Sequence, residues 1–211
     1  MGLFDFVFGK VKEKINNARY VAMMNGTTPI FTSFGNDIYS SDIINNVIRR
    51  ICSEMSKLQP RHVAVKNGNQ EIVNSDINRL LKYGPNPLMT TSDFLSKITY
   101  LYEHDKDVYI VPIWESIPVS DTMYRRRYTA LWPINPSKVE FKTDDKGVLY
   151  IGFEFTGDTE EYIFKYSDII HWRKDYTAND LVGGDANGNP SDETVIKLLQ
   201  ADRTAIEGIE N

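Results

Sequence analysis

Asp121, Glu140 and Lys142 come nearest to a catalytic set in this chain. Glu140 and Lys142 lie in the run "VEFK", Val139 to Lys142, and Asp121 lies upstream across an expected hairpin. Two carboxylates and a lysine on adjacent strands can hold a divalent metal and activate water, as restriction-type nucleases do. A Glu-x-Lys triplet is also ordinary on a solvent-facing strand, because alternate positions share a face. The set therefore has two readings, a metal-dependent nuclease and an inert charged strand, and the second is the simpler. A magnesium-dependent cleavage assay separates them.

Other candidate chemistry is thinner. "YRRRY", Tyr124 to Tyr128, is the one concentrated basic patch, with aromatics on both sides, and it could touch nucleic-acid phosphate. Strand alternation would instead split its arginines between two faces of an exposed hairpin tip, which is the favoured reading. Asp185, Asn187 and Asn189 alternate as in a calcium loop. The sharp-turn position holds Pro190 and the closing position Ile196, so the stretch reads as a plain polar loop. The three histidines, His62, His104 and His171, are far apart and lack metal-ligand spacing. The single cysteine, Cys52, allows no internal disulfide and reads as a small buried hydrophobe. There is no G-x-S-x-G elbow, no dinucleotide-binding glycine spacing and no phosphate loop; Gly9-Lys10 lacks the earlier glycine.

The elements around these residues are more legible. Apolar residues recur at three- and four-residue steps from Ile43 to Leu58, predicting an amphipathic helix that starts near Ser40 or Ser41 and stops before Pro60. "HVAVKNGNQEIV" carries a hairpin signal. "SDINRLLKYG" predicts a short helix, and "GPNP" a corner after it. Gly84 is expected in the left-handed position that ends the helix, with Pro85 and Pro87 holding Asn86 extended. Thr90 can cap a third helix, with Asp93 as its capping-box partner and Met89 and Phe94 as a hydrophobic staple. After "EHDKD" come runs rich in β-branched and aromatic residues: "VYIVPIWESI", "YRRRYTALWPI", "KVEFKTD", "VLYIGFEFTG" and "EEYIFKYSDIIHWRK". "DDKG" marks a tight turn between two of them. A polar loop then leads to a last helical pattern, "ETVIKLLQADRTAIEGIEN", which has no stop signal and reads as cut short. The expected class is α+β: amphipathic helices packed on a mostly antiparallel sheet over residues 37–211, preceded by an arm and loop over residues 1–36.

Composition excludes some classes. The chain has 211 residues, 41% of them hydrophobic and 25% charged, with a net charge of −5. That is an ordinary globular balance and not that of a basic nucleic-acid binder. No apolar run approaches the roughly 18 residues of a membrane span. The amino-terminal stripe Leu3, Phe4, Phe6, Val7, Phe8, Val11 and Ile15 reads as an arm that docks on a partner or stays mobile. Asp5 and the lack of a cleavage site argue against a secretory signal, and Phe6 against myristoylation.

Taken in order, several segments resemble the portal proteins of tailed double-stranded DNA bacteriophages, the head-to-tail connector family. They are "MGLFDFVFG", "IINNVIRRICSEMSKLQ", "LLKYGPNPLMTTSDF", "LWPINPSKVEF" and "YSDIIHWR", the last with Ile170, His171, Trp172 and Arg173. Where many relatives carry a Gly-Asn-aromatic step, this chain has "EHDKDVYI". The resemblance implies the wing of a dodecameric ring at one capsid vertex, through which terminase packages DNA and from which DNA is ejected. It implies partners: other portal subunits, capsid or scaffold proteins, terminase, a head–tail adaptor and the DNA in the channel, with no membrane. It implies residence in the virion, and in the host cytoplasm during assembly. It implies no catalytic, cofactor-binding or metal-binding residue, with His171 and Arg173 packing the sheet against the loop. Relatives continue into channel-lining helices, so this chain by itself is expected to be a monomer or a weak small oligomer.

Overall fold

A computed structural model describes residues 42–156, 158, 160–174 and 181–183. The amino-terminal arm, the calcium-like stretch and the last helical pattern lie outside the described residues.

Helix α1 spans Asp42–Met55, β1 Val63–Lys66, β2 Asn69–Ile72, α2 Asp76–Tyr83 and α3 Thr91–His104. Strands β3 (Asp107–Pro118), β4 (Tyr124–Ile134), β5 (Lys138–Thr143), β6 (Leu149–Glu154), β7 (Tyr162–Lys165) and β8 (Ile170–Arg173) follow. The α+β class with antiparallel pairing is as expected, but the strand block is two sheets, not one: β4-β3-β8 and β5-β6-β7, beside the separate β1–β2 hairpin. The run "EEYIFKYSDIIHWRK" is where the chain changes sheet. Tyr166–Asp168 form a 3₁₀ turn, closed by Ile169 N–H donating to Tyr166 O, and β8 leaves to pair with β3.

Three layers result. One face of β3 and β4 presents Tyr109, Val111, Ala130, Trp132 and Ile134 to Ile151, Phe153, Tyr162 and Phe164 of the second sheet. The opposite face presents Val108, Ile110 and Leu131 to Leu80 of α2 and to Phe94, Leu95, Ile98 and Leu101 of α3. This explains why β3 opens with an unbroken apolar run: both of its faces are buried, as for an inner strand. Helix α1 packs outside α3, burying Ile48 and Cys52. Burial pushes the Cys52 thiol up in pKa, which keeps it protonated and inert.

The turns follow local chemistry. Asn67 (φ 51°) and Gly68 (φ 81°) supply the two positive-φ positions of a tight β1–β2 turn. Gly147 (φ 76°) closes the β5–β6 turn, donating to Asp144 O. Thr90 caps α3 with the full reciprocal box to Asp93. Gly84, however, is not left-handed. Its φ of 166° is extended backbone, and the reason for glycine is crowding, since a Cβ there would lie 3.1 Å from Met89 O.

The corner also seals a sheet edge. Leu131 of β4 donates its N–H to Pro85 O at 2.6 Å, and Asn86 Nδ2 donates to Leu131 O at 3.0 Å. Asn86 Oδ1 accepts from Leu88 N–H, so this buried amide is satisfied at both ends. Farther along the same edge, Asp76 of α2 accepts from Tyr128 N–H at 2.6 Å. Edge groups that could template aggregation are thereby occupied. The same geometry explains Pro112, which faces Leu131 in register. Leu131 turns both its backbone groups away from β3, so this is a non-hydrogen-bonded pair, and β8 has already ended opposite Ile110. The amide that proline lacks has no strand to meet.

Candidate functional site

The proposed nuclease set is not assembled. Asp121 sits in the turn joining β3 and β4, whereas Glu140 and Lys142 lie on β5 of the other sheet, whose strand partner is β6. The sequence expectation of adjacent strands fails because β5 begins a new sheet instead of pairing with the preceding hairpin. Glu140 is engaged as well, between Lys138 at 2.5 Å and Lys142 at 3.3 Å. Those two lysines, Lys138 foremost, hold its carboxyl below the usual range. Lys138 also meets Glu154, and Lys142 meets Glu161, giving a strip of alternating charge across the sheet. Among the described residues, no group of three or more His, Cys, Asp or Glu side chains could hold a metal ion.

The "YRRRY" arginines face carboxylates. Arg127 pairs with Glu115 across the hairpin at 2.5 Å, and Arg125 lies 3.8 Å from Asp76. Arg126 lies 4.3 Å over the Trp114 ring and pairs with Asp168 at 2.7 Å. The hairpin has a register shift between Ile113 and Trp114. Beyond that bulge its outer half is mostly exposed, and the Arg126 contact fastens it to the 3₁₀ turn.

His171 is the best-organised polar residue the sequence singled out. Its side chain is 2% exposed. Its ring stacks on Tyr109 at 4.3 Å, with Nε2 2.8 Å from Asp107 Oδ1 and Nδ1 3.0 Å from Tyr166 Oη. When Nε2–H donates to Asp107, Nδ1 accepts from the Tyr166 hydroxyl, and both ring nitrogens are used. The ring then has no lone pair left for a metal or a substrate proton. Asp107 also accepts from Gly183 N–H at 2.9 Å. Gly183 approaches so closely that a Cβ would lie 2.5 Å from both Lys106 O and Lys174 O. Lys174 in turn pairs with Glu103 of α3.

The seam therefore ties β8, β3, α3 and the 181–183 segment together. His171 does contribute to holding the loop, but through Asp107 and Gly183, which sequence reasoning passed over. Their only signal was a "KD" step after a helix and a "GG" pair in a polar loop. These polar constellations join elements to one another, and some of their members also border cavities: Glu103 and His171 a groove beside α1, and Asp107 and Lys138 a second one.

No helix among the described residues is long and apolar enough to cross a membrane. A search of curated proteins finds no match to the chain. The family model for phage portal proteins matches residues 43–209. That stretch takes in every described element, with only the first residue of α1 outside it. The chain belongs to the phage portal protein family, structural head–tail connector proteins of virion assembly.

Proposed function

We propose that this chain supplies the wing of a dodecameric ring at one capsid vertex, through which double-stranded DNA enters during packaging and leaves at ejection. The observation that carries the reading is the portal match across the helices and both sheets. The fold supports it by spending its charged and polar side chains on seams between elements. The ring contacts capsid or scaffold proteins at the vertex, terminase during packaging and a head–tail adaptor afterwards. It assembles in the host cytoplasm before residing in the virion. The alternative, a nuclease built on Asp121, Glu140 and Lys142, has less support, because two sheets divide those residues.

The test is immunogold labelling of heads assembled from the phage's own capsid proteins with a tagged copy of this chain. Label at one vertex per head is expected. Label spread over the shell, or absent from it, refutes the reading. A cleavage assay addresses the alternative: dose-dependent cutting of DNA in magnesium or manganese, abolished by Glu140→Gln, would replace the structural role with the nuclease.

A further inference from the structure

Two exposed apolar surfaces of this fold have opposite shapes. One projects, at the end of the β3–β4 hairpin. Beyond Pro118 the chain turns through residues 119–123, held by Val119 N–H donating to Met123 O at 2.8 Å and Met123 N–H donating to Ser120 O at 3.3 Å. Pro118 lies opposite Tyr124 in register, and strand alternation puts Val119 and Met123 on the other face. The tip is thus a pre-formed wedge with apolar groups on both faces, and Val119, Met123 and Tyr124 are each more than half exposed. The other surface is recessed, a groove of about 620 Å³. Helix α1 lends it Ile51 and Met55, α3 lends Tyr102 and β8 lends Trp172, which is 45% exposed. Glu103, His171 and Arg173 border it as well. Glu103 is already neutralised by Lys174, and both His171 ring nitrogens are engaged by Asp107 and Tyr166. The groove is therefore apolar in its contacts, with Arg173 as a cation on its β8 side.

We propose that the wedge of one copy of this chain seats in the groove of the next, laying Val119, Met123 and Tyr124 against Ile51, Met55 and Trp172. Three observations select a second copy as the occupant. First, the wedge cannot reach its own groove. Trp172 lies opposite Val108, whereas the wedge begins at Pro118, roughly 30 Å farther along the same hydrogen-bonded strand. Second, a wedge with two apolar faces suits a groove with two apolar walls, and Tyr, Trp and Met are residue types enriched at the centres of interfaces. Third, the charges agree in sign. Asp121 is exposed at the head of the wedge and meets Arg173 in the groove, with Glu103 already paired and no rival for it. A contact between unlike patches leaves every copy with one more wedge and one more groove to offer, so it propagates from copy to copy and closes if the rotation allows. Closure into a ring rests on the portal reading above; the contact itself does not. One hairpin tip is a small patch beside the roughly 1,000 Å² of a stable interface, so in solution the contact is weak and has to be trapped.

Disulfide trapping tests it on the full 211-residue chain, mixing a Met123→Cys preparation with a Met55→Cys preparation in a thiol–disulfide buffer. Native Cys52 is buried and stays out of the exchange. The mixed tip-to-groove disulfide should form roughly tenfold or more faster than the tip variant pairs with Tyr83→Cys, an exposed site that reports random collision. Adding Val119→Glu to the tip variant should remove that advantage. The proposal is overturned if tip-to-groove pairing runs at the collision rate, if it survives Val119→Glu, or if either variant pairs faster with itself, which would make the contact two-fold. Amide exchange in β3 and β6 reports whether the variants keep their sandwich. If Met55→Cys loses it, a benzophenone attached through Met123→Cys decides alone. Its cross-links between isotopically distinct copies should fall in α1 and β8, and cross-links scattered over the surface overturn the proposal. Label at one capsid vertex without the mixed disulfide would keep the ring and remove this contact, whereas the mixed disulfide without vertex label would keep the contact and remove the ring.

Discussion

Asn86 offers the sharpest test of how the fold holds its sheet edge. Replacing it with alanine removes the amide that reaches Leu131 O and the oxygen that receives Leu88 N–H. The two losses are unequal. Leu88 is exposed, and water can replace its partner, so that bond contributes about 0.5–1 kcal/mol. Leu131 is 6% exposed, and its carbonyl would be left buried without an acceptor's partner, at about 1–3 kcal/mol. The expected sum is about 1.5–4 kcal/mol, which for a domain of this size lowers the melting temperature by roughly 3–16 °C. Asn86→Asp discriminates further. It keeps the oxygen facing Leu88 but sets a carboxylate against Leu131 O. Its folded pKa should then rise above the unfolded value near 3.9. A raised folded pKa means that the variant is least impaired below the unfolded value, where the acid can donate to Leu131 O, and is increasingly impaired as pH climbs through the folded value. Denaturant melts of both variants between pH 3 and 7 measure this. An alanine variant within about 0.3 kcal/mol of wild type, or an aspartate variant with wild-type pH dependence, would refute the edge-sealing account.

Four further outcomes are expected. Gly84→Val should destabilise by about 1–3 kcal/mol through the clash with Met89 O and not through backbone strain, and a wild-type melt would remove that contact from the account. Thr90→Ala should lower stability by about 1 kcal/mol through loss of the α3 cap, read in the same melts. Gly183→Ala should free the 181–183 segment from Asp107 and speed proteolysis there while β3–β6 stay protected; unchanged cleavage would show that the tie is unimportant. For Asp76, burial raises the carboxyl pKa, but hydrogen bonds led by Tyr128 N–H, together with Arg125 and Arg79, more than offset it, leaving the value lowered. A lowered folded pKa contributes stability above the unfolded value near 3.9 that is lost as pH falls through the folded value, so Asp76→Asn should flatten the acid limb of the stability curve.

Much of this molecule is written locally in the chain. The Asn67-Gly68 turn, the Thr90–Asp93 box, the amphipathic α1 and the "DDKG" turn all depend on neighbours within a few residues, and each appears where its residues predict it. The antiparallel α+β class follows from the same signals. Long-range pairing decided the rest. Nothing near Glu140 indicates that β5 turns from the preceding hairpin to β6, and that choice separates Asp121 from Glu140 and Lys142. Nothing in "EEYIFKYSDIIHWRK" reveals that its two strands serve different sheets, because Tyr162–Lys165 and Ile170–Arg173 have similar strand character. The left-handed expectation for Gly84 failed for a related reason: a helix-ending glycine looks alike in sequence whether φ or a distant carbonyl demands it. Asn86 between its prolines announced a corner. Only the folded chain shows what the corner faces, because Leu131 lies 45 residues farther on and reaches it through the sheet.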